Sequence, residues 1–302
     1  MRRWLLVVAW ATLPLTAGPA FAEALRHWGG APQVVGSALC WLGWAIGLLA
    51  VVAPRPVGLT AARAVAPAAV VVAVVVAWRG DVSALAAAGA VVATLVAAGL
   101  VADPAFAERT ANAVSYGDEQ RYPLRVPPGL FAGPLPFARA VAVGGLVAGP
   151  LLLAAGDVAW GIAALVVGLP ASATAGLVLH RLSRRWLVVV PAGIVVVDPM
   201  TLADNVLFPR EHILRLRALR ADEPPGSAVD LRLGATLGSV RLTFDEPAEL
   251  TRTLHARRPA QTIKAPGLVV AVARRDAMFR NAARRRVRIE VAETGAGVGP
   301  DR

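Results

Sequence analysis

The chain has 302 residues, of which 56% are hydrophobic and only 17% are charged. Soluble domains carry about 25% charged residues, and disordered chains are poor in apolar residues, so both classes are excluded for most of the sequence. Of the net charge of +11, residues 1–180 carry +3 (10 Arg against 7 acids) and residues 181–302 carry +8 (20 Arg and one Lys against 13 acids). This uneven charge predicts a domain boundary near residue 180.

The N-terminal 22 residues have two interpretations. Arg2 and Arg3 precede an apolar stretch, and the small residues Ala20 and Ala22 fit a cleavage site, a pattern typical of a secretory signal peptide. The alternative is a retained first membrane span. Residues 1–22 are therefore expected to be either a first span or a signal peptide.

Five further apolar segments are expected to cross a membrane. A helix needs about 20 apolar residues to span the hydrocarbon core, and the two shorter segments can extend through flanking arginines that reach the interface. In chain order the segments are 34–53, 64–78, 82–102, 140–156 and 158–179. They predict an α-helical membrane bundle of five or six spans, with a three-span region at 34–102 and a two-span hairpin at 139–180.

The arginines predict the orientation of this bundle, because basic loops lie on the cytoplasmic side. If the N-terminus is inside, only Arg26 and Arg79 lie outside, and the cytoplasmic arginines are Arg2, Arg3, Arg55, Arg63, Arg109, Arg121, Arg125, Arg139, Arg181, Arg184 and Arg185. We therefore expect a multi-pass protein of the plasma (inner) membrane with a cytoplasmic C-terminus. No segment has an ionisable residue at its centre, so an ion-coupled transporter or proton channel is not expected.

The predicted cytoplasmic loop at 103–138 is the longest connection in the membrane half. Loops of this length are uncommon unless they are functional or disordered. One hypothesis is a contact or binding segment; the alternative is a Pro/Gly-rich connector along the membrane surface. The candidate contact residues are Tyr116, Asp118, Glu119, Arg121 and Tyr122.

From residue 184 the pattern changes to short β-branched runs that alternate with polar residues. Strands are expected at 185–190, 193–198, 206–208, 212–219, 228–233 and 239–244. Acids and a proline at 245–247 are typical of a helix start, which predicts a helix from Asp245 to about Arg258. Residues 184–259 are therefore expected to form a small cytoplasmic β-rich domain of strands followed by a helix.

The segments LVVVPAGI (187–194) and VLFPREHI (206–213) resemble bacterial pleckstrin-homology-like domains. The whole chain is similar to uncharacterised actinobacterial multi-span membrane proteins that end in such a domain. The resemblance implies an interaction or assembly module. Lipid-binding members have a basic first hairpin loop, whereas the turn at 191–193 carries no charge, so inositol-phosphate recognition is not implied.

The tail at 260–302 is basic, and a helix is expected over 269–287. Beneath an anionic leaflet each of its arginines can contribute about 1 kcal/mol of attraction. Candidate contacts to anionic phospholipid headgroups are Arg274, Arg275, Arg280, Arg284, Arg285, Arg286 and Arg288. The alternative is a solvated charged tail, because the helix has a weak apolar face. Residues 294–302 are expected to be disordered.

Motifs for chemistry are missing from the sequence. The lone Cys40 and four scattered histidines offer no metal-ligand spacing, and no phosphate loop or dinucleotide fingerprint occurs. No catalytic, metal or cofactor site is predicted, no cofactor is expected, and nucleic acid is not an expected partner because no recognition motif accompanies the arginines. Absence of motifs leaves enzymatic activity open.

The sequence favours a polytopic membrane protein whose cytoplasmic domain mediates assembly or membrane-surface interaction. Its expected partners are the lipid bilayer and other membrane proteins. Two alternatives are a small transporter, channel or transporter subunit, and a membrane enzyme with a site at the 103–138 loop.

Overall fold

The computed structural model describes residues 2–253 and 260–290. These residues form two compact units, and each unit is built from two separate segments of the chain. Within the described residues the helical unit comprises 2–114 and 130–183, whereas the β-rich unit comprises 115–129, 184–253 and 260–290. A short piece of the predicted loop at 103–138 therefore belongs to the β-rich unit.

Five helices of the helical unit are long and apolar enough to cross a membrane, which confirms the five predicted spans. Their hydrophobic faces stay largely exposed, as expected of helices whose solvent is lipid. They are α4 (Gly30–Val52), α5 (Pro56–Arg79), α6 (Ala84–Ala102), α9 (Pro134–Ala154) and α10 (Val158–Ser183).

The N-terminal segment is helical but interrupted, with α1 at Arg2–Ala11, α2 at Leu13–Thr16 and α3 at Gly18–Arg26. It packs against α4 through two indoles. Trp10 Nε1 donates to the carbonyl of Trp44 (2.9 Å), and Trp44 Nε1 donates to that of Trp10 (3.1 Å). Gly47 makes room, since a Cβ there would lie 1.9 Å from the Trp10 ring. Trp10 is thus part of the core of the helical unit.

Helices α9 and α10 pack backbone to backbone at two glycines. A Cβ on Gly145 would lie 2.5 Å from the carbonyl oxygen of Gly168, and one on Gly168 would lie 2.6 Å from that of Gly145. Small residues at a crossing let membrane helices approach closely. The neighbouring Gly144 faces open space, since a Cβ at that position would have no atom within 4 Å. Close packing therefore depends on Gly145 and Gly168.

The loop at 103–138 is only partly irregular. Helix α7 spans Pro104–Asn112, and the carboxylate of the preceding Asp103 accepts from the Ala105 amide (2.7 Å) as an N-cap. It is followed by strand β1 (Gln120–Pro123) and the single turn α8 (Pro128–Phe131).

After β1, the strands of the β-rich unit are β2 (Trp186–Val190), β3 (Gly193–Val197), β4 (Val206–Pro209), β5 (Ile213–Ala218), β6 (Val229–Asp230), β7 (Ser239–Arg252), β8 (Gln261–Ala271) and β9 (Ile289–Glu290). They form a four-stranded sheet of order β1-β2-β3-β4 and a five-stranded sheet of order β6-β8-β7-β5-β9, together with helix α11 (Arg275–Arg284). A 3₁₀ turn at Arg210–His212 precedes β5. A β-rich region after the spans and a helix near its end agree with the predicted fold class.

Strand β1 comes from the connection between the third and fourth of the five membrane-length helices. It pairs antiparallel with β2, with Tyr122 opposite Leu187. Just beyond it, the Leu124 amide donates to Arg185 O (2.9 Å), whereas the Arg125 amide donates to Ala271 O (2.7 Å). Tyr122 and Leu124 are buried in the core of the unit. The inserted segment therefore joins the two sheets.

The predicted helix from Asp245 to Arg258 is wrong over the part that the structure describes. Residues 245–252 continue strand β7, and Leu250 is fully buried opposite Ile263 of β8. The register of the pairing with β8 shifts between Thr243 and Ala248, and this irregularity accommodates the acids and the proline that imitate a helix start. The pairing of residues 248–252 with β8 therefore outweighs the local helix-start signal at 245–247. Residues 254–258 of that prediction lie outside the described residues.

The predicted helix over 269–287 is also too long. Its first residues end strand β8, in which Leu268, Val269 and Val270 are fully buried. Leu268 and the β-branched Val270 belong to the core of the unit, whereas Val269 packs with Leu219 and Ala228. The helix proper is α11, ten residues long. The predicted disordered end, 294–302, lies outside the described residues.

A buried ion pair lies at the point where the chain enters β2 of the β-rich unit. Arg185 donates to both carboxylate oxygens of Asp198 at 2.8 Å, and the two side chains are 2% and 0% exposed. Arg185 also donates to the carbonyls of Leu231 (2.8 Å) and Arg125 (3.3 Å). From the sequence, Arg185 is expected to lie on the cytoplasmic side and to begin a strand; in the structure its side chain also joins Asp198, Leu231 and the inserted segment.

Candidate functional site

The β-rich unit carries an open groove of about 480 Å³ between β1 and α11. Its lining comes from two regions that are far apart in sequence, the inserted strand and the C-terminal helix. The residues that line it are Gln120, Tyr122, Ala277, Arg280, Asn281, Arg284 and Arg285. Four of them belong to the contact sets predicted from the sequence, which the structure brings together.

Helix α11 presents one polar face to this groove because of its periodicity. Residues four apart lie on one side of a helix, which aligns Arg280 with Arg284 and Ala277 with Asn281. Met278 and Ala282 lie on another side and are fully buried in the core of the unit. The apolar side of α11 is thus occupied by the domain core, and its arginine side is left for a ligand.

Hydrogen bonds tie the two walls of the groove together. Asn281 Nδ2 donates to the phenol oxygen of Tyr122 (3.0 Å), and that hydroxyl donates to Ala277 O (3.4 Å). Arg285 Nε donates to Asn281 Oδ1 (3.0 Å), and Arg285 Nη2 donates to the Asp118 carbonyl. These contacts hold the groove's polar groups in a defined arrangement.

The charge of the groove is unbalanced. Its lining contains three arginines and no carboxylate. Arg280 and Arg284 are exposed, and within residues 2–253 and 260–290 neither forms an ion pair. Guanidinium groups bind carboxylates and phosphates through paired hydrogen bonds. The groove is therefore suited chemically to an anionic ligand.

The other candidate loop residues lie outside the groove. Glu119 accepts from Arg121 Nε (3.1 Å) and from the Tyr116 amide (2.8 Å), so its carboxylate closes a local turn. The Arg121 guanidinium lies 5.0 Å from the centre of the Trp186 ring. Tyr116 is 92% exposed. Asp118, Glu119 and Arg121 are not among the residues that line the groove with Tyr122.

The remaining candidate arginines do not line the groove. Arg274 directly precedes α11, and Arg275 Nε lies 3.6 Å from the carboxylate of Asp276. Arg286 and Arg288 are exposed beyond the end of the helix. Across the part of the chain that the structure describes, no group of His, Cys, Asp or Glu could hold a metal ion.

Three groove residues, Gln120, Ala277 and Asn281, were not among the contacts predicted from the sequence. Asn281 interrupts a run of arginines at the position four residues before Arg285, and this spacing is the one local signal for its role. Comparisons with family models, with curated proteins and with solved structures found no match for this chain.

Proposed function

We propose that this protein is a membrane-anchored assembly module, in which the basic groove between β1 and α11 docks an acidic segment of a partner membrane protein. The observation that carries the proposal is the groove itself, with three arginines, no carboxylate and a hydrogen-bonded floor. The amide of Gln120, which lines the groove, suits a peptide partner, since it matches the donors and acceptors of a backbone.

The connectivity of the chain supports a role at the membrane. The β-rich unit is joined to the helical unit at three points, 114/115, 129/130 and 183/184. Strand β2 begins at Trp186, directly after α10 ends at Ser183. We propose that the unit lies on the cytoplasmic side, as the arginine distribution predicts.

The proposed identity of the unit is a pleckstrin-homology-like domain with one inserted strand. Two sheets and a helix near the end are compatible with that class. Its proposed role is assembly, because the charge lies at α11 rather than in the neutral turn Pro191-Ala192-Gly193.

In-cell photocrosslinking tests the proposed function. A photoreactive residue replaces Gln120 in the full-length protein, and adducts are compared between Arg280→Gln/Arg284→Gln and the control Arg210→Gln/Arg220→Gln. The control removes the same charge from exposed arginines outside the groove. We expect a protein adduct, crosslinked at an acidic segment, that only the groove variant loses. An adduct unchanged by the groove variant, or an adduct with lipid alone, contradicts the proposal.

A further inference from the structure

The loop between β6 and β7, residues 231–238, exposes two leucines. Leu233 is 46% exposed and Leu237 is 64% exposed, whereas Leu231 and Ala235 of the same loop are buried. Leucine side chains gain stability by leaving water, and these two do not leave it within the chain itself. The loop contains no aspartate or glutamate. Its exposed part therefore combines apolar side chains with the absence of negative charge.

The backbone of this loop is held in an unusual shape. Leu233 has a φ of +54°, and the following Gly234 has a φ of +92°. The left-handed region is disfavoured for a bulky side chain, and such conformations persist only where surrounding contacts impose them. Those contacts include Arg232, whose Nη2 donates to Asp230 Oδ2 (2.8 Å) and whose Nη1 donates to Ser239 Oγ (3.2 Å). The loop is therefore fixed in place, and Leu233 is displayed on its surface.

Both ends of the loop are attached to residues at which the chain passes between the membrane half and the β-rich unit. At one end, Leu231 O accepts from Arg185 Nη2 (2.8 Å), and Arg185 lies two residues beyond Ser183, the last residue of α10. At the other end, a Cβ on Gly238 would lie 3.0 Å from Nε of Arg125 in the inserted segment. Two residues of extended chain reach about 7 Å. The base of the loop is thus tied to the first residues after a membrane-length helix.

The groups near this end of the unit suit a membrane surface. Helix α10 is long and apolar enough to cross a membrane, so the boundary of the hydrocarbon core lies near its ends. Leucine is among the residues that enter this core most favourably, and arginines beside it reach the headgroups. Arg184, directly before Arg185, is exposed. A bilayer surface therefore accounts for the exposed leucines and for their position at this end of the unit.

We propose that Leu233 and Leu237 insert into the interfacial region of the bilayer and hold the β-rich unit against the membrane. The partner is the lipid surface, whose acyl region takes up the two side chains. This contact and a peptide docked in the β1–α11 groove use different residues, so either proposal can fail alone.

Spin labelling of the full-length protein, in nanodiscs of phosphatidylglycerol and phosphatidylcholine, tests this contact. Cys40→Ala first removes the only cysteine. A nitroxide is then attached at Thr236→Cys, an exposed position between the two leucines, or at the control Ala192→Cys, in the exposed turn at the far end of β2 from Arg185. Its collisions with oxygen, which concentrates in lipid, and with a water-soluble nickel chelate are measured. We expect the label at position 236 to favour oxygen and the label at position 192 to favour the chelate.

Replacing both leucines tests their role. Leu233→Ser/Leu237→Ser should shift the collisions of the label at position 236 towards the chelate, because serine gains little from leaving water. Leu207→Ser/Leu214→Ser is the matched control and should leave them unchanged, since these leucines are similarly exposed on β4 and β5. A label at position 236 that meets the chelate as often as the control label does shows a loop in water and overturns the proposal. Few collisions with either reagent show a loop covered by protein and overturn it equally.

A carbene photolabel dissolved in the bilayer gives a second test that needs no substitution. We expect it to modify residues 231–238 of the wild-type protein and to spare the turn at 190–193. Modification of residues 231–238 that is no stronger than that of the turn overturns the proposal.

Discussion

Tyr122 and Asn281 are 159 positions apart in the chain, and the Asn281 amide donates a 3.0 Å hydrogen bond to the Tyr122 hydroxyl. One residue lies between membrane-length helices and the other lies near the C-terminus. Their contact means that the β-rich unit is completed by the membrane half of the chain. The groove at this contact therefore depends on both regions of the chain. A truncation that removes all residues after 185 would leave β1 without its partner strand β2.

The first prediction concerns the buried ion pair of Arg185 and Asp198. Asp198→Ala leaves the buried Arg185 guanidinium without its carboxylate, which should destabilise the β-rich unit by about 3–5 kcal/mol. The control, Asp222→Ala, removes an exposed partner of Arg220 and should cost about 0–1 kcal/mol. Urea unfolding of the full-length protein in detergent, monitored by pulse proteolysis of the β-rich unit, measures both. Similar losses in the two variants would contradict the structural role of the pair.

The second prediction concerns the crossing of α9 and α10. Gly145→Ala introduces a methyl group 2.4 Å from Ser172 Oγ and 2.5 Å from Gly168 O, so the helices must separate. Overpacking of this kind costs about 1–3 kcal/mol. Gly144→Ala is the matched control, because its methyl group meets no atom within 4 Å. Thermal unfolding of the purified protein should show a lower Tm for the first variant only, and equal Tm values would refute the backbone contact.

The third prediction concerns the exposed pair of His212 and Asp245. The hydrogen bond to Asp245, at 3.1 Å, and the charge of that carboxylate raise the pKa of His212. The contribution of the pair to stability is therefore complete below the unfolded pKa of histidine, about 6.5, and is lost as pH rises through the higher folded pKa. The pKa of Asp245 is lowered by the same hydrogen bond, so at the acid end the contribution is lost as pH falls through that lowered value.

An NMR titration of the histidine side chains measures this effect. Asp245→Asn should bring the pKa of His212 back towards its ordinary value. Glu246→Gln is the control, because the charge of Glu246 is the smallest of the contributions that raise this pKa. A His212 pKa that does not move in Asp245→Asn would show that the ion pair does not form.

The fourth prediction concerns the packing of Trp10, which bears on the two interpretations of residues 1–22. Trp10 and Leu6 are each 1% exposed and belong to the core of the helical unit. Cleavage after Ala22 would empty the space that Gly47 leaves for the indole. We expect the protein isolated from membranes to retain residues 1–22, which its intact mass will establish. A mass that corresponds to a chain beginning at Glu23 would support the signal peptide instead.

Elements that depend on local pattern were predicted well from the sequence. Length and apolar composition alone specify a membrane-length helix, and all five were found. The β2–β3 hairpin follows from two β-branched runs separated by Pro191-Ala192. The helix expected from Asp245 failed because a local start signal competes with ten paired positions between β7 and β8, which no window of the sequence contains.

The groove could not be predicted because it depends on a distant strand pairing. Strand β1 has four residues, and Gln120, Arg121 and Pro123 give it no strong β-propensity. It is a strand because β2 lies beside it and because Tyr122 is buried in the core. The sequence identified arginines 280, 284 and 285 and Tyr122 as separate candidates, but only the tertiary structure joins them.

Hydrogen exchange of the full-length protein in nanodiscs tests most directly whether the inserted segment is part of the β-rich unit. The amides of Leu124 and Arg125 donate to Arg185 O and Ala271 O, whereas Gly117 lies in a turn. If the segment is integral, Leu124 and Arg125 exchange at least about tenfold more slowly than Gly117, at rates close to those of β2. Exchange of Leu124 and Arg125 as fast as that of Gly117 would show a mobile connector, and the β1–α11 groove would then not exist.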